Sequence, residues 1–317
     1  MTTRSNERVA WFNGLFMPEN EVRIPFRDWS WVYGDGCFDM TRSFGHRLFK
    51  VKEHVERLYR SLKYLRIDPG FGPQKMCELT DELFERNRHL LGRDDDYWVG
   101  QRISRGVKEV EGDNIDHHGP NIVLECMPLP FVQRAKLFKD GIKVVIPSHR
   151  RVPPESLTPR AKTHNYLNMV VANQEVQSID PEAWAVLLDI NGNLCEGMGS
   201  NIFTVRGGEV FTPREKFVLP GVSRQTVIDL AKAEGIPLHE ADLDLYDAYN
   251  ADEVFLTSTS LCICPVTKVN GVEIGPKGQV WGPVTRKLTD AYQRFVDFDF
   301  VDQYLKRYVE GMESRAF

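Results

Sequence analysis

The sequence predicts an α/β protein in two parts, a small α+β domain followed by a larger mixed α/β domain. Three observations predict it. The chain has 317 residues, enough for two packed cores, and its 42% hydrophobic and 27% charged residues are an ordinary globular balance. Residues 9–50 read as short strands and turns before the apolar period changes to three and four, whereas the second half alternates strands with helices. The segment Pro128-Leu129-Pro130-Phe131-Val132-Gln133 separates the two patterns, its prolines interrupting any ladder or helix.

In chain order, Val9-Ala10-Trp11-Phe12 reads as a strand and Asn13-Gly14 as its turn, with further apolar segments broken at Gly34, Gly36 and Gly45. Val55, Leu58, Leu62 and Leu65 recur at helical spacing, so 53–66 is an amphipathic helix that Asp68-Pro69-Gly70 stops. A second helix covers 74–91, and strands follow at 98–104 and 122–127. These form an expected domain over 1–128, with a linker at 129–136. The larger domain, 137–317, places strands at 142–147, 184–189, 201–205 and 253–257 among helices at 165–177, 223–234 and 283–296.

Composition excludes several classes. A net charge of -5 without a basic stripe gives no electrostatic case for nucleic acid or a membrane surface. No run approaches the roughly 20 apolar residues of a membrane span, and Met1 to Arg8 lacks the apolar segment of a secretory signal, so a cytoplasmic protein is expected. The cysteines at 37, 77, 126, 195, 262 and 264 form no paired framework, and Cys262-Ile263-Cys264 lacks zinc spacing. Reduced, mostly buried thiols are expected. His117-His118 also lacks ligand spacing, so no metal is expected.

Three groups carry the chemistry. Lys162 lies in a polar turn, Pro159 to Asn168, just before a helix; a partly desolvated lysine can attack an aldehyde and later move protons, although a lone lysine is more often a solvated charge. Glu196 follows the strand Trp184 to Asp189 and the turn Asn191-Gly192-Asn193; a carboxylate entering a strand needs a cation, which a pyridinium N–H would supply. Leu219-Pro220-Gly221-Val222-Ser223 opens a helix with Ser223 read as N-cap, and free N–H groups there favour a phosphate. Each signal is weak alone. Together they are what pyridoxal phosphate needs: a lysine for its aldehyde, a carboxylate for its ring nitrogen and a helix start for its phosphate. Arg57 has the bland alternative of a surface ion pair, and Thr257-Ser258-Thr259-Ser260 that of a solvated turn.

From about residue 11 to residue 293 the chain resembles the fold type IV pyridoxal phosphate enzymes, the branched-chain and D-amino acid aminotransferase family. The similarity is carried by Tyr33-Gly34-Asp35-Gly36-Cys37-Phe38, by Phe49 to Leu58, by Lys162-Thr163-His164-Asn165-Tyr166, by Glu196 to Phe203, by Leu219 to Arg224 and by Glu253 to Ser260. The resemblance implies two α/β domains with the cofactor between them, in homodimers. It implies a Schiff base at Lys162, a hydrogen bond from Tyr166 to the ring oxygen, Glu196 on the pyridine nitrogen, and phosphate contacts from Arg57, Val222, Ser223 and Thr259. The implied reaction moves an amino group from an amino acid or primary amine to a 2-keto acid in two half-reactions, Lys162 shuttling the proton.

Departures from the family pattern bear on substrate. Branched-chain members carry a glycine after a Phe-Glu pair, whereas Phe38-Asp39 is followed here by Met40, which narrows that wall; Arg42 matches their arginine. Their substrate-side arginine falls at Gly100, and Arg102, two residues along on the same strand face, is the replacement candidate. The turn that receives the substrate carboxylate reads Thr259-Ser260-Leu261. Substrate-side candidates are therefore Phe38, Met40, Arg42, Arg102 and Ser260. The chain is also similar to the (R)-selective amine transaminases through Arg150-Arg151-Val152-Pro153-Pro154, but their mobile-loop arginine falls at Glu111. A lyase of the aminodeoxychorismate type, which shares Gly34 to Phe38 and Arg42, is the alternative; it would turn over without an amino acceptor.

Overall fold

The computed structural model describes residues 7–112 and 117–313, with side chains to 308, so the reading made on Met1 to Asn6 lies outside the described residues. Two compact units result: one runs to Leu129 and includes Ala161–Tyr166, the other comprises Pro130–Arg160 and Leu167 onward. The lysine segment therefore groups with the first unit, where the sequence reading had placed it in the second domain.

The first unit begins with β1 (Val9–Phe12) and β2 (Leu15–Pro18), joined by Asn13 and Gly14 at φ 46° and 102°. Positive φ at both positions matches the twist of a two-residue hairpin. Helix α1 (Trp29–Tyr33) is capped by Asp28, whose carboxylate accepts the Ser30 N–H at 2.7 Å. Then come β3 (Gly36–Phe44), β4 (Arg47–Leu48), α2 (Val51–Leu65), α3 (Pro73–Arg88), β5 (Tyr97–Ser104) and β6 (Ile122–Pro128). The strands form one sheet in the order β2-β1-β6-β5-β3-β4. Val55, Leu58 and Leu62 of α2 and Met76, Leu83 and Phe84 of α3 join Val99, Ile103 and Leu124 of the sheet in a single buried cluster. Because strand side chains alternate, the opposite face is left to Phe38, Met40, Gly100, Arg102, Val123 and Glu125.

The second unit opens with α4 (Phe131–Asp140), so most of the stretch read as a linker is helical. Pro130 stands at its N-cap, where a missing N–H costs no helical bond. The unit continues with β7 (Ile142–Val145), α5 (Leu167–Ile179), β8 (Trp184–Leu188), β9 (Leu194–Gly197), β10 (Ser200–Arg206), β11 (Glu209–Pro213), α6 (Val222–Ala233) and β12 (Leu238–Ala241). It ends with α7 (Leu245–Tyr249), β13 (Glu253–Ser258), β14 (Cys262–Val269), β15 (Val272–Glu273), α8 (Pro283–Val296) and α9 (Phe300–Glu313). The sheet order is β12-β11-β10-β13-β14-β7-β8-β9, and β9 also pairs with β10, which closes six of these strands into a ring. Phe203 and Phe255 stack at 4.8 Å on that ring. All six cysteines are free thiols and five are buried. Among the described residues no helix is long and apolar enough to cross a membrane.

Candidate active site

In the first unit the lysine segment lies along the start of β3. The Phe38 N–H donates to the Lys162 carbonyl at 3.0 Å, the His164 N–H donates to the Gly36 carbonyl at 2.8 Å, and Cys37 bridges Thr163. Gly36 is required by space, since a Cβ there would stand 2.5 Å from His164 Nδ1 and 2.7 Å from the Ile103 carbonyl oxygen. From α2, the Ser61 hydroxyl accepts the Lys162 N–H at 3.0 Å. These bonds hold the Lys162 side chain, 9% exposed, with Nζ 3.1 Å from the Tyr166 hydroxyl and 4.7 Å from the centre of the Phe38 ring.

Arg57 is not the surface residue of the bland reading. It is 3% exposed, and its guanidinium grips Asp39 with Nε 2.8 Å from Oδ2 and Nη2 2.7 Å from Oδ1. His54, one helical turn earlier, places Nδ1 2.7 Å from the same Oδ1. Burial alone would raise the Asp39 pKa, but Arg57 and His54 hold it well below the usual carboxylate range. Burial in turn lowers the His54 pKa, with Asp39 opposing. Removing one partner of a buried pair of this kind costs about 3–5 kcal/mol.

On the other face of the sheet, Phe38 lies opposite Arg102 and Met40 opposite Gly100. The Arg102 guanidinium sits 5.3 Å from the centre of the Phe38 ring and donates through Nε to Glu125 at 2.6 Å. Arg42 departs from the expectation of a substrate contact. It is 1% exposed, its Nε donates to the Ser43 carbonyl at 2.8 Å, and its guanidinium lies over Phe44 at 4.0 Å. Buried and already bonded, it braces the β3–β4 hairpin.

In the second unit Glu196 lies on β9, 4% exposed. Its Oε1 accepts from Arg151 Nε at 3.0 Å and its Oε2 from the Leu219 N–H at 2.8 Å. Arg151 is fixed in turn by its own N–H on the Leu188 carbonyl at 2.9 Å, the end of β8. Glu196 pairs across to Asn201, and Asn201 to Thr257, so the three share one face of the sheet. Asn201 Nδ2 donates to the Leu219 carbonyl at 3.1 Å, so this row grips both backbone polar groups of Leu219.

Three residues later α6 begins. Its N-cap is Gly221, not Ser223, which lies inside the first turn. The glycine is needed because a Cβ there would collide with Asn201 Oδ1. The first helical bond runs from the Gln225 N–H to the Gly221 carbonyl, so the N–H groups of Val222, Ser223 and Arg224 precede the ladder and suit an anion. In the same unit the Thr257 hydroxyl is buried with no hydrogen-bond partner among the described residues, and Thr259 and Ser260 form the turn from β13 to β14. Each unit by itself supplies part of the donor and acceptor set of pyridoxal phosphate: the first a buried amine beside a phenol, the second a carboxylate held by an arginine, an orphaned hydroxyl and a helix start with glycine at its N-cap.

Residues 36–269 match the family described as Amino-transferase class IV. The chain belongs to this family. A putative branched-chain-amino-acid aminotransferase of Methanocaldococcus jannaschii is 36% identical over 284 residues, covering 89% of this chain and 94% of the relative. The solved branched-chain amino acid aminotransferase of Escherichia coli superposes with a TM-score of 0.82 at 26% identity, covering 92% of this chain and 94% of that one. The solved T.th. branched-chain amino acid aminotransferase complexed with N-(5'-phosphopyridoxyl)-L-glutamate superposes with a TM-score of 0.79 at 26% identity, covering 92% of this chain and 95% of that one. The class IV protein is thus a pyridoxal phosphate-dependent aminotransferase of fold type IV, and these relatives favour transamination over the lyase alternative. Sequence reasoning missed Asp39, His54, Arg151 and Asn201. Of these, Arg151 carried a signal, the Arg-Arg-Val-Pro-Pro segment, and Asn201 lies within the Glu196 motif.

Proposed function

We propose that Lys162 carries the cofactor covalently and acts as the proton shuttle of a two-half-reaction transamination between an aliphatic amino acid or primary amine and a 2-keto acid. The observation that carries this reading is the Lys162 amine itself, 9% exposed and hydrogen-bonded to Tyr166 with no acidic partner among the described residues. Burying an ammonium without an acid beside it is costly, and covalent attachment to an aldehyde removes that cost. When bound, pyridoxal phosphate supplies the electron sink that stabilises the donor's Cα carbanion. The Tyr166 hydroxyl would donate to the ring oxygen. Glu196, hydrogen-bonded to Arg151, would hold the ring nitrogen. The Val222 and Ser223 N–H groups and the Thr259 hydroxyl would take the phosphate, a role the family resemblance also gives to Arg57. Lys162 Nζ would take the proton from the donor's Cα and give it up again as the amino group is moved. Phe38, Met40, Arg102 and Ser260 face the substrate.

The same reading includes a homodimer, supported by the exposed apolar side chains Phe26, Trp31 and Tyr33, which are 77%, 79% and 67% accessible. It also includes a cytoplasmic location, supported by the six free thiols. The test is Lys162→Ala, assayed with a panel of L- and D-amino acids and (R)- and (S)-amines. The wild type should show a bound-cofactor absorbance that changes with its donors. The variant should lose both that response and turnover while staying folded by circular dichroism, and sustained turnover would remove Lys162 from the mechanism.

A further inference from the structure

The sheet face that carries Phe38 also carries the ion pair of Arg102 with Glu125, and the geometry around it is specific. Met40, Gly100 and Glu125 stand in one row across β3, β5 and β6. A Cβ on Gly100 would stand 2.9 Å from Met40 Sδ and 3.3 Å from Glu125 Oε1, so the thioether and the carboxylate both fold over the space that this glycine leaves. From there Glu125 reaches Arg102 Nε at 2.6 Å. The Arg102 guanidinium and the Lys162 amine both lie against the Phe38 ring, at 5.3 Å and 4.7 Å from its centre. Arg102 is 39% exposed and Glu125 19%. Next to the reactive amine the wall is therefore aromatic and thioether, and its cation is already neutralised.

Resting on the aminotransferase reading, we propose that Glu125 is a specificity-determining residue: by occupying Arg102 it makes this wall accept an uncharged, apolar substrate side chain and resist a second carboxylate. A carboxylate brought to Arg102 would have to share the guanidinium with Glu125 at like charge, whereas an alkyl group meets only Phe38 and Met40. Removing the Glu125 charge leaves a guanidinium with an open fork, the geometry that binds carboxylates most strongly.

The probes are glutamate and its neutral isostere glutamine, both enantiomers of each, with the ratio of their kcat/KM values as the readout. Glu125→Gln should raise the glutamate-to-glutamine ratio at least about tenfold, mainly through KM, and adding Arg102→Met should cancel the gain. Calorimetric titration of the cofactor-loaded protein with glutarate and with pentanoate gives a measurement free of turnover. The wild type should prefer pentanoate, and Glu125→Gln should reverse the order. An unchanged ratio in Glu125→Gln, or a tenfold loss of glutamate activity alone in Arg102→Met, would overturn the proposal, since Arg102 would then already anchor a second carboxylate. A merely structural Glu125 would move both substrates together and leave the ratio fixed, which also overturns it. If wild-type protein transaminates none of the donors in the wider panel, the aminotransferase reading fails instead.

Discussion

His164 shows how closely the lysine segment is fitted. Its Nδ1 lies 2.6 Å from the Ser30 hydroxyl, and its Nε2 is buried with no partner among the described residues. Burial, reinforced by the Arg102 charge, lowers its pKa to about 4, and the Asp28 and Asp35 carboxylates offset only part of that. In the unfolded chain an imidazole titrates at ~6.5. Between these values the unfolded chain binds the extra proton, so the contribution of His164 is fully present above the unfolded pKa and is lost as pH falls through the folded one. His54, lowered by its own burial, acts in the same direction. His164→Asn should therefore lose less stability than the wild type between about pH 7 and about pH 5 in urea unfolding. An equal loss in both proteins would show that His164 takes its proton without penalty.

At the scale of elements, the start of α6 depends on a glycine that its neighbours leave no room to replace. Gly221→Ala should push Asn201 from the Leu219 carbonyl and misalign the first-turn N–H groups. Cofactor affinity by equilibrium dialysis should then fall at least about tenfold; unchanged affinity would mean that the turn does not hold the phosphate. Legibility in the sequence followed periodicity. Helices α2, α3, α6 and α8 emerged within a few residues of their observed ends because each repeats an apolar face over three or more turns. Strand β14 did not, since Cys262 to Val266 is continuously buried and carries no alternation to read. Ser223 looked like a cap because a polar residue before an apolar run is the usual cue, yet Gly221 fills that place for a steric reason visible only with Asn201 beside it. The pairs Asp39–Arg57 and Arg151–Glu196 join residues 18 and 45 apart in sequence, where no spacing rule reaches. Arg42 matched the arginine of the family pattern, and a pattern match carries no information about its burial beside Phe44.

At the scale of the whole molecule, Phe26, Trp31 and Tyr33 expose apolar rings on α1 and the loop before it, side chains that a subunit contact would cover. Sedimentation velocity should show a dimer, and the double variant Phe26→Glu, Trp31→Glu should shift it toward monomer; a wild-type monomer at micromolar concentration would rule the dimer out. The family match over residues 36–269 covers the lysine, the carboxylate and the α6 start alike. Closure of the strand ring has a kinetic corollary. Strand β9, which bears Glu196, is laddered to β8 on one side and β10 on the other. Fraying from an open rim is denied to it, so its hydrogen-bonded amides should exchange with solvent deuterium slowly. The carboxylate proposed for the coenzyme's ring nitrogen is thus mounted on a strand anchored along both edges.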